Sequence, residues 1–138
     1  MPADVFVDTN ILVYAHDRDA GRKHARARDL LEKAWLSDKF PAISVQVLQE
    51  LFVNLRKHGV SLAEAREIVS DYSSWRVAGN TVDLCLQAIE ESERWQVSFW
   101  DGLILAAARS MRATIVWSED LNTGQDFGGI RVVNPLME

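Results

Sequence analysis

Val5-Phe6-Val7-Asp8-Thr9-Asn10-Ile11-Leu12-Val13 decides how this chain reads: an apolar run, an acid with two polar companions, and a second apolar run. The first run has the β-branched and aromatic content of a short buried strand. The second opens a helix. A carboxylate at the end of a buried strand occupies the position where open α/β sheets build their sites. Burying it alone is costly, so such a group is normally paired or bound to a cation. The reading therefore turns on whether other acids converge on Asp8.

Working outward, strand candidates are Asp4 to Val7, Ala42 to Ser44, Thr114 to Trp117 and Ile130 to Val133. Helical patterns fill the gaps. His24 to Trp35 places Ala27, Leu30, Leu31 and Ala34 on one face. Ser44 precedes an apolar-rich helix that runs through Lys57 and stops before Gly59. Ser61 with Glu64 has capping-box spacing and predicts a helix to about Ser74. Asn80 or Thr81 opens another to about Trp95, and Ser98 with Asp101 opens one to Met111. Strands alternating with helices predict an α/β sandwich with a mainly parallel sheet. Right-handed crossovers then put all strand carboxyl ends on one edge, so Asp8 and Ser118-Glu119-Asp120 share it.

Two more acids stand out. Glu50 is the only charge between Lys39 and Arg56, and helical spacing aligns it with Gln46 and Asn54 in a narrow polar stripe. Asp101 is the only charge between Arg94 and Arg109, in the first turn of its helix. Each has a plain alternative: a boundary glutamate, a carboxylate favoured by the helix dipole, or, for Asp120, a turn acid. Gly102 after Asp101 weakens the helix and suggests close approach of another backbone or a ligand. Several carboxylates cannot stay ionised side by side without a compensating cation. A site of Asp, Glu, Asn and water suits Mg²⁺ or Mn²⁺. His16, His24 and His58 show no ligand spacing and read as surface or boundary residues. Asp126 reads as a turn or capping residue, and Gly128-Gly129 as a turn before a strand.

The bulk properties set limits. At 138 residues the chain reads as a single domain, 1–138, able to bury a sizeable core. Met1-Pro2-Ala3-Asp4 has no basic, apolar leader pattern. The longest apolar run, Leu103 to Ala108, falls short of the roughly 18 residues of a membrane span. Cys85, the single cysteine, lies among Leu84, Leu86 and Ala88 and reads as a buried structural residue; cytoplasmic residence follows as the default. A net charge of −5 argues against a broadly basic nucleic-acid surface, although cations in an acidic pocket reverse its local sign. Arg18, Arg22, Lys23, Arg26 and Arg28 form one basic segment, interleaved with Asp17, Asp19 and Asp29; it reads as a solvated helix face or a phosphate contact. Trp100 reads as core packing or as a platform for an unpaired base. Trp35, Trp75, Trp95 and Trp117 read as packing residues. The faces over Leu84–Ile89 and Ile68–Trp75 carry more apolar residues than a thin helical layer needs, and offer surface for a second copy or another protein.

With these blocks in order, the chain resembles the PIN-domain family, and within it the VapC toxins of bacterial toxin–antitoxin pairs. The resemblance rests on Val5 to Leu12, the isolated Glu50, Phe99-Trp100-Asp101-Gly102-Leu103-Ile104 and Trp117-Ser118-Glu119-Asp120-Leu121. It implies a PIN-like three-layer α/β/α sandwich and an endoribonuclease dependent on one or two Mg²⁺ or Mn²⁺ ions. By the same resemblance Asp8, Glu50, Asp101 and Asp120 are the catalytic and metal-holding acids. Asn10 and Ser118 support them, while Glu119 either shares the role or faces away. Arg22, Lys23, Arg26 and Trp100 become RNA-contact candidates, with the Arg56-Lys57 pair a further basic group. The implied partners are RNA, a small cognate antitoxin and a second copy of the chain. Competing classes are a non-catalytic or RNA-processing module of the same fold, a flap-type DNA nuclease and a phospho-accepting receiver. The receiver needs a late strand-end lysine, and the last lysine here is Lys57.

Overall fold

A computed structural model describes residues 4–137. Its strands are β1 (Val5–Val7), β2 (Ala42–Ser44), β3 (Arg76–Ala78), β4 (Ile115–Trp117) and β5 (Arg131–Val133). Its α-helices are α1 (Thr9–His16), α2 (Arg22–Trp35), α3 (Val45–Lys57), α4 (Leu62–Tyr72), α5 (Val82–Trp95) and α6 (Phe99–Ser110). The strands form one sheet in the order β3-β2-β1-β4-β5, and every pairing is parallel. α1 packs on both α2 and α3, α3 on α4, and α5 on α6, and the helices flank the sheet. This is the expected three-layer α/β/α sandwich. No helix among the described residues is long and apolar enough to cross a membrane.

β1 lies at the centre because it is covered on both faces: Phe6 and Val7 are fully buried, as parallel sheets require of their middle strands. The chain leaves β1 toward β2 on one side, and later returns to β4 on the other. The strand order therefore reverses between β1 and β4, and a crevice opens at their carboxyl ends. Val7 sits opposite Trp117, and the Asp8 amide continues the ladder by donating to the Trp117 carbonyl at 2.9 Å.

Sequence reading missed β3. Arg76-Val77-Ala78 is too short to show alternation, and it becomes a strand by pairing along β2, Ala42 with Arg76 through Ser44 with Ala78. The segment before it feeds an aromatic cluster in which Tyr72 and Trp75 meet Trp35 and Phe40 with ring centroids 4.9–6.4 Å apart. Of the apolar residues in Ile68–Trp75, Tyr72 and Trp75 are thus core, while Ile68 and Val69 are half-buried against it. Trp95 packs edge-on against Phe127.

The Cys85 expectation fails: its side chain is exposed. α5 buries only Leu84, Ala88 and Glu91, an i, i+4, i+7 strip, and Cys85 is rotated one residue away from it. Val82, Leu86 and Ile89 also face outward, so the apolar neighbourhood that suggested burial is itself surface.

Glu91 is buried because Arg109 of α6 meets it with both ends of the guanidinium, Nε to Oε1 at 2.8 Å and the second nitrogen to Oε2 at 3.1 Å. Arg109 also donates to the carbonyls of Phe127 and Gly128. The pair joins both helices to the loop before β5. Arg109→Met should destabilise the fold by about 2 kcal/mol, less than a fully buried pair because Arg109 is partly exposed. Urea denaturation measures this, and an unchanged midpoint would show that the pair is dispensable.

Candidate active site

Asp8 enters the crevice as the N-cap of α1. Its Oδ1 accepts from the Thr9 amide at 2.7 Å, and its Oδ2 accepts from the Ser118 hydroxyl at 2.8 Å. Ser118 is fully buried, and its Oγ also accepts from the amides of Asp120 and Leu121. One hydroxyl thus shapes the turn after β4 and fixes the carboxylate after β1. Asn10, two residues into α1, links the same pair of loops. Its Nδ2 donates to Asp120 Oδ2 at 3.0 Å and lies 3.5 Å from Asp8 Oδ2, while its Oδ1 accepts from the Glu119 amide at 3.2 Å.

Glu50 reaches the same place from the middle of α3, where its Oε1 accepts from the Thr9 hydroxyl at 2.8 Å. Asn54, one turn on, donates to the Glu50 carbonyl at 2.8 Å. Gln46, one turn back, is buried, and its Oε1 has no hydrogen-bond partner among the described residues. A cleft of about 320 Å³ is lined by Asp8, Thr9, Asn10, Val13, Tyr14, Asp17, Glu50, Asn54, His58 and Asp120.

Of the four acids singled out in the sequence, Asp8, Glu50 and Asp120 therefore meet in one cleft. Asp101 is half-buried outside that lining, in the first turn of α6, with its amide donating to Ser98 Oγ at 3.1 Å. Burial pushes its carboxyl up, Ser98 opposes, and the charge of Asp120 adds to the rise. Among the described residues no three His, Cys, Asp or Glu side chains are gathered tightly enough to ligate one ion; Asn10 and Thr9 stand between the carboxylates.

Glu119 points away from the acids. Tyr14 Oη donates to its Oε1 at 2.6 Å and Lys23 Nζ to its Oε2 at 2.7 Å. Of the basic candidates, Lys23 is thus engaged at the rim, Arg26 donates to the Met137 carbonyl, Arg28 pairs with Glu32, and Arg22 lies on the exposed side of α2. Arg56 donates to the Val60 carbonyl, away from the cleft lining. Trp100 is 63% exposed, so it is surface rather than core. Sequence reading missed Thr9, Tyr14, Asp17 and His58. Helical spacing from Asn10 carried a signal for two of them, since Tyr14 and Asp17 fall at i+4 and i+7.

The electrostatics are those of acids crowded into a partly desolvated cleft. Burial pushes the Asp8 carboxyl up to about 7; hydrogen bonds from Ser118 and Thr9 oppose the rise, and the charges of Asp120 and Glu50 reinforce it. Among the described residues the cleft lining holds four acids and no lysine or arginine. Hard carboxylate and amide oxygens of this kind fit Mg²⁺ or Mn²⁺.

The model of the PIN domain family matches residues 5–124. Comparison with functionally curated proteins finds no match. Similar solved structures include VapC20 of Mycobacterium tuberculosis, a sarcin–ricin loop cleaving toxin, with a TM-score of 0.68 at 23% identity, covering 85% of this chain and 92% of that one. A toxin–antitoxin complex from Klebsiella pneumoniae gives 0.68 at 24% identity, covering 96% and 98%. DNA-bound VapBC from Salmonella typhimurium gives 0.63 at 21%, covering 95% and 97%. At these identities the likeness is one of fold.

Proposed function

The chain belongs to the PIN-domain family, and from that premise we propose that it is a divalent-metal-dependent endoribonuclease acting as the toxin of a toxin–antitoxin pair. The observation that carries this reading is the meeting of Asp8, Glu50 and Asp120 in one cleft at the β1/β4 reversal, supported by Asn10 and Ser118. These three acids, with Asp101 from α6, would hold Mg²⁺ or Mn²⁺. A cation held there supplies the Lewis acidity that activates water near neutral pH and offsets charge on a phosphoryl group.

The rest of the work falls to the chain. Ser118 and Thr9 fix both oxygens of Asp8, which limits reorganisation when a cation and a phosphodiester arrive. Asn10 holds Asp120, the most exposed of the four acids lining the cleft, against the cleft wall. Trp100, exposed one residue before Asp101, would offer a stacking surface to an unpaired base. Arg22 and Arg26 of α2 would contact phosphates beyond the cleft, whereas Lys23 is engaged by Glu119. A cytoplasmic site of action accords with an RNA substrate. The toxin–antitoxin complexes among the similar folds support an antitoxin as partner. The outward stripe of Val82, Leu86 and Ile89 on α5 is apolar surface suited to a second copy of the chain.

The decisive experiment incubates purified protein with single-stranded RNA. Cleavage should require added Mg²⁺ or Mn²⁺, fall to background with EDTA, and leave a 5′ phosphate. Intact RNA with either metal would favour a non-catalytic module, and a 2′,3′-cyclic phosphate would exclude the metal–water route.

A further inference from the structure

We propose that Lys23 and Tyr14 are positioning residues for the acidic cleft, acting on Asn10 through Glu119. The proposal rests on the ribonuclease reading for its consequence, and on the contacts alone for its geometry. Glu119 has both carboxylate oxygens engaged, one by Tyr14 Oη at 2.6 Å and the other by Lys23 Nζ at 2.7 Å. Lys23 also lies 5.0 Å from the centre of the Tyr14 ring, so the ammonium, the phenol and the carboxylate form one closed cluster. Burial alone would raise the Glu119 carboxyl, but Lys23 and Tyr14 outweigh it and hold the group below its ordinary value.

Tyr14 itself lines the cleft, and the cluster reaches Asn10 through one backbone group. The Glu119 amide donates to Asn10 Oδ1 at 3.2 Å, which leaves Asn10 Nδ2 facing Asp120 and Asp8. An amide side chain has one acceptor end and one donor end. Turned over, Asn10 would set its oxygen against two carboxylates and its NH₂ against an N–H. The Glu119 amide thus selects the only orientation that serves the acids, and the Lys23–Tyr14 clamp keeps that amide in place. Released, the Glu119 side chain would also add a negative charge beside Asp120.

Magnitudes separate this role from a structural one. Lys23 and Glu119 side chains are 50% and 24% exposed, and ion pairs this wet contribute little to stability. Groups that orient metal-holding carboxylates, in contrast, change metal affinity by about 10–100-fold. The clamp should therefore register in the cleft more than in the melting temperature.

The test uses Lys23→Met, Glu119→Gln and Lys23→Arg in the full chain. Hydrogen exchange at the Glu119 amide, read by NMR without metal, should accelerate by about tenfold or more in the first two variants as the clamp opens. Mn²⁺ affinity, measured by electron paramagnetic resonance of the free ion, should weaken about tenfold in both, with KM for single-stranded RNA within about twofold of the parent. Lys23→Arg should restore parental values. Unchanged Glu119 exchange in both variants would overturn the proposal. So would a raised KM with unchanged Mn²⁺ affinity, which would make Lys23 a phosphate contact. A parent that neither binds Mn²⁺ nor cleaves RNA would sink the ribonuclease reading, while Glu119 exchange would still decide on the clamp.

Discussion

Purified Asp8→Asn protein will fail to cleave RNA, and in EDTA at pH 8 it will melt at a higher temperature than the parent. Both outcomes have one cause. The Asp8 carboxyl is buried beside Asp120 and Glu50, and its folded-state pKa stands at about 7 against an ordinary 3.8. A raised carboxyl favours the protonated form in the folded state. Below pH 4 it carries no penalty; the penalty grows as pH rises from about 4 to 7 and is complete above that. The shift corresponds to about 4 kcal/mol at most. An asparagine keeps an acceptor for the Thr9 amide but loses part of the Ser118 and Asn10 bonding, a loss of roughly 1 kcal/mol. The relief exceeds the loss at pH 8, and the order should close or reverse at pH 4. Mn²⁺ should raise the parent's melting temperature and leave the variant's unmoved. Cleavage should drop by about a thousandfold or more, in line with losing a principal electrostatic contribution to the reaction. Near-parental activity, with contamination excluded, would remove Asp8 from the reaction. A parent whose stability does not fall relative to the variant between pH 4 and 8 would show that the carboxylate is already compensated.

Gly102→Ala should destabilise the fold strongly. In an open helix this change would stabilise by about 0.5–1 kcal/mol. Here a Cβ on Gly102 would lie 2.5 Å from the Ala88 carbonyl oxygen and 3.0 Å from the Ser92 amide nitrogen. Both are backbone atoms of α5 and cannot rotate away, so the two helices must part. Overpacking of this kind costs about 3 kcal/mol, which outweighs the propensity gain and lowers the melting temperature by about 10 °C. Parting the helices also displaces Asp101, the residue before it, so RNA cleavage should slow even at temperatures where the variant is folded. A melting temperature within about 2 °C of the parent would show that α5 and α6 adjust freely. The sequence flagged Gly102 as odd without deciding between a backbone and a ligand as the close neighbour; the neighbour is the α5 backbone.

How far the sequence could be read follows from what each signal depends on. β1, β2, β4 and β5 and all the long helices carry local signatures, such as Ser44, Ser61, Thr81 and Ser98, each accepting a hydrogen bond from the amide three residues on. β3 has no such signature, because three residues become a strand only when β2 supplies the partner. Cys85 misled because apolar neighbours in sequence do not share a helix face. Glu119 could not be assigned from its position beside Asp120, since the groups that turn it outward, Tyr14 and Lys23, lie about a hundred residues away.

The sequence by itself determined the α/β order, the acid at the end of the first strand, and the carboxyl edge on which Ser118 and Asp120 would join it. These follow from local periodicity and from the handedness of crossovers, which need no knowledge of distant contacts. Only the tertiary structure decided that Asp8, Glu50 and Asp120 share a cleft, that Asn10 bridges two of them, and that Asp101 stands to one side. Those facts depend on hydrogen bonds between residues 41 to 110 positions apart. No local pattern encodes such pairings, because they exist only once the sheet has brought its strand ends together.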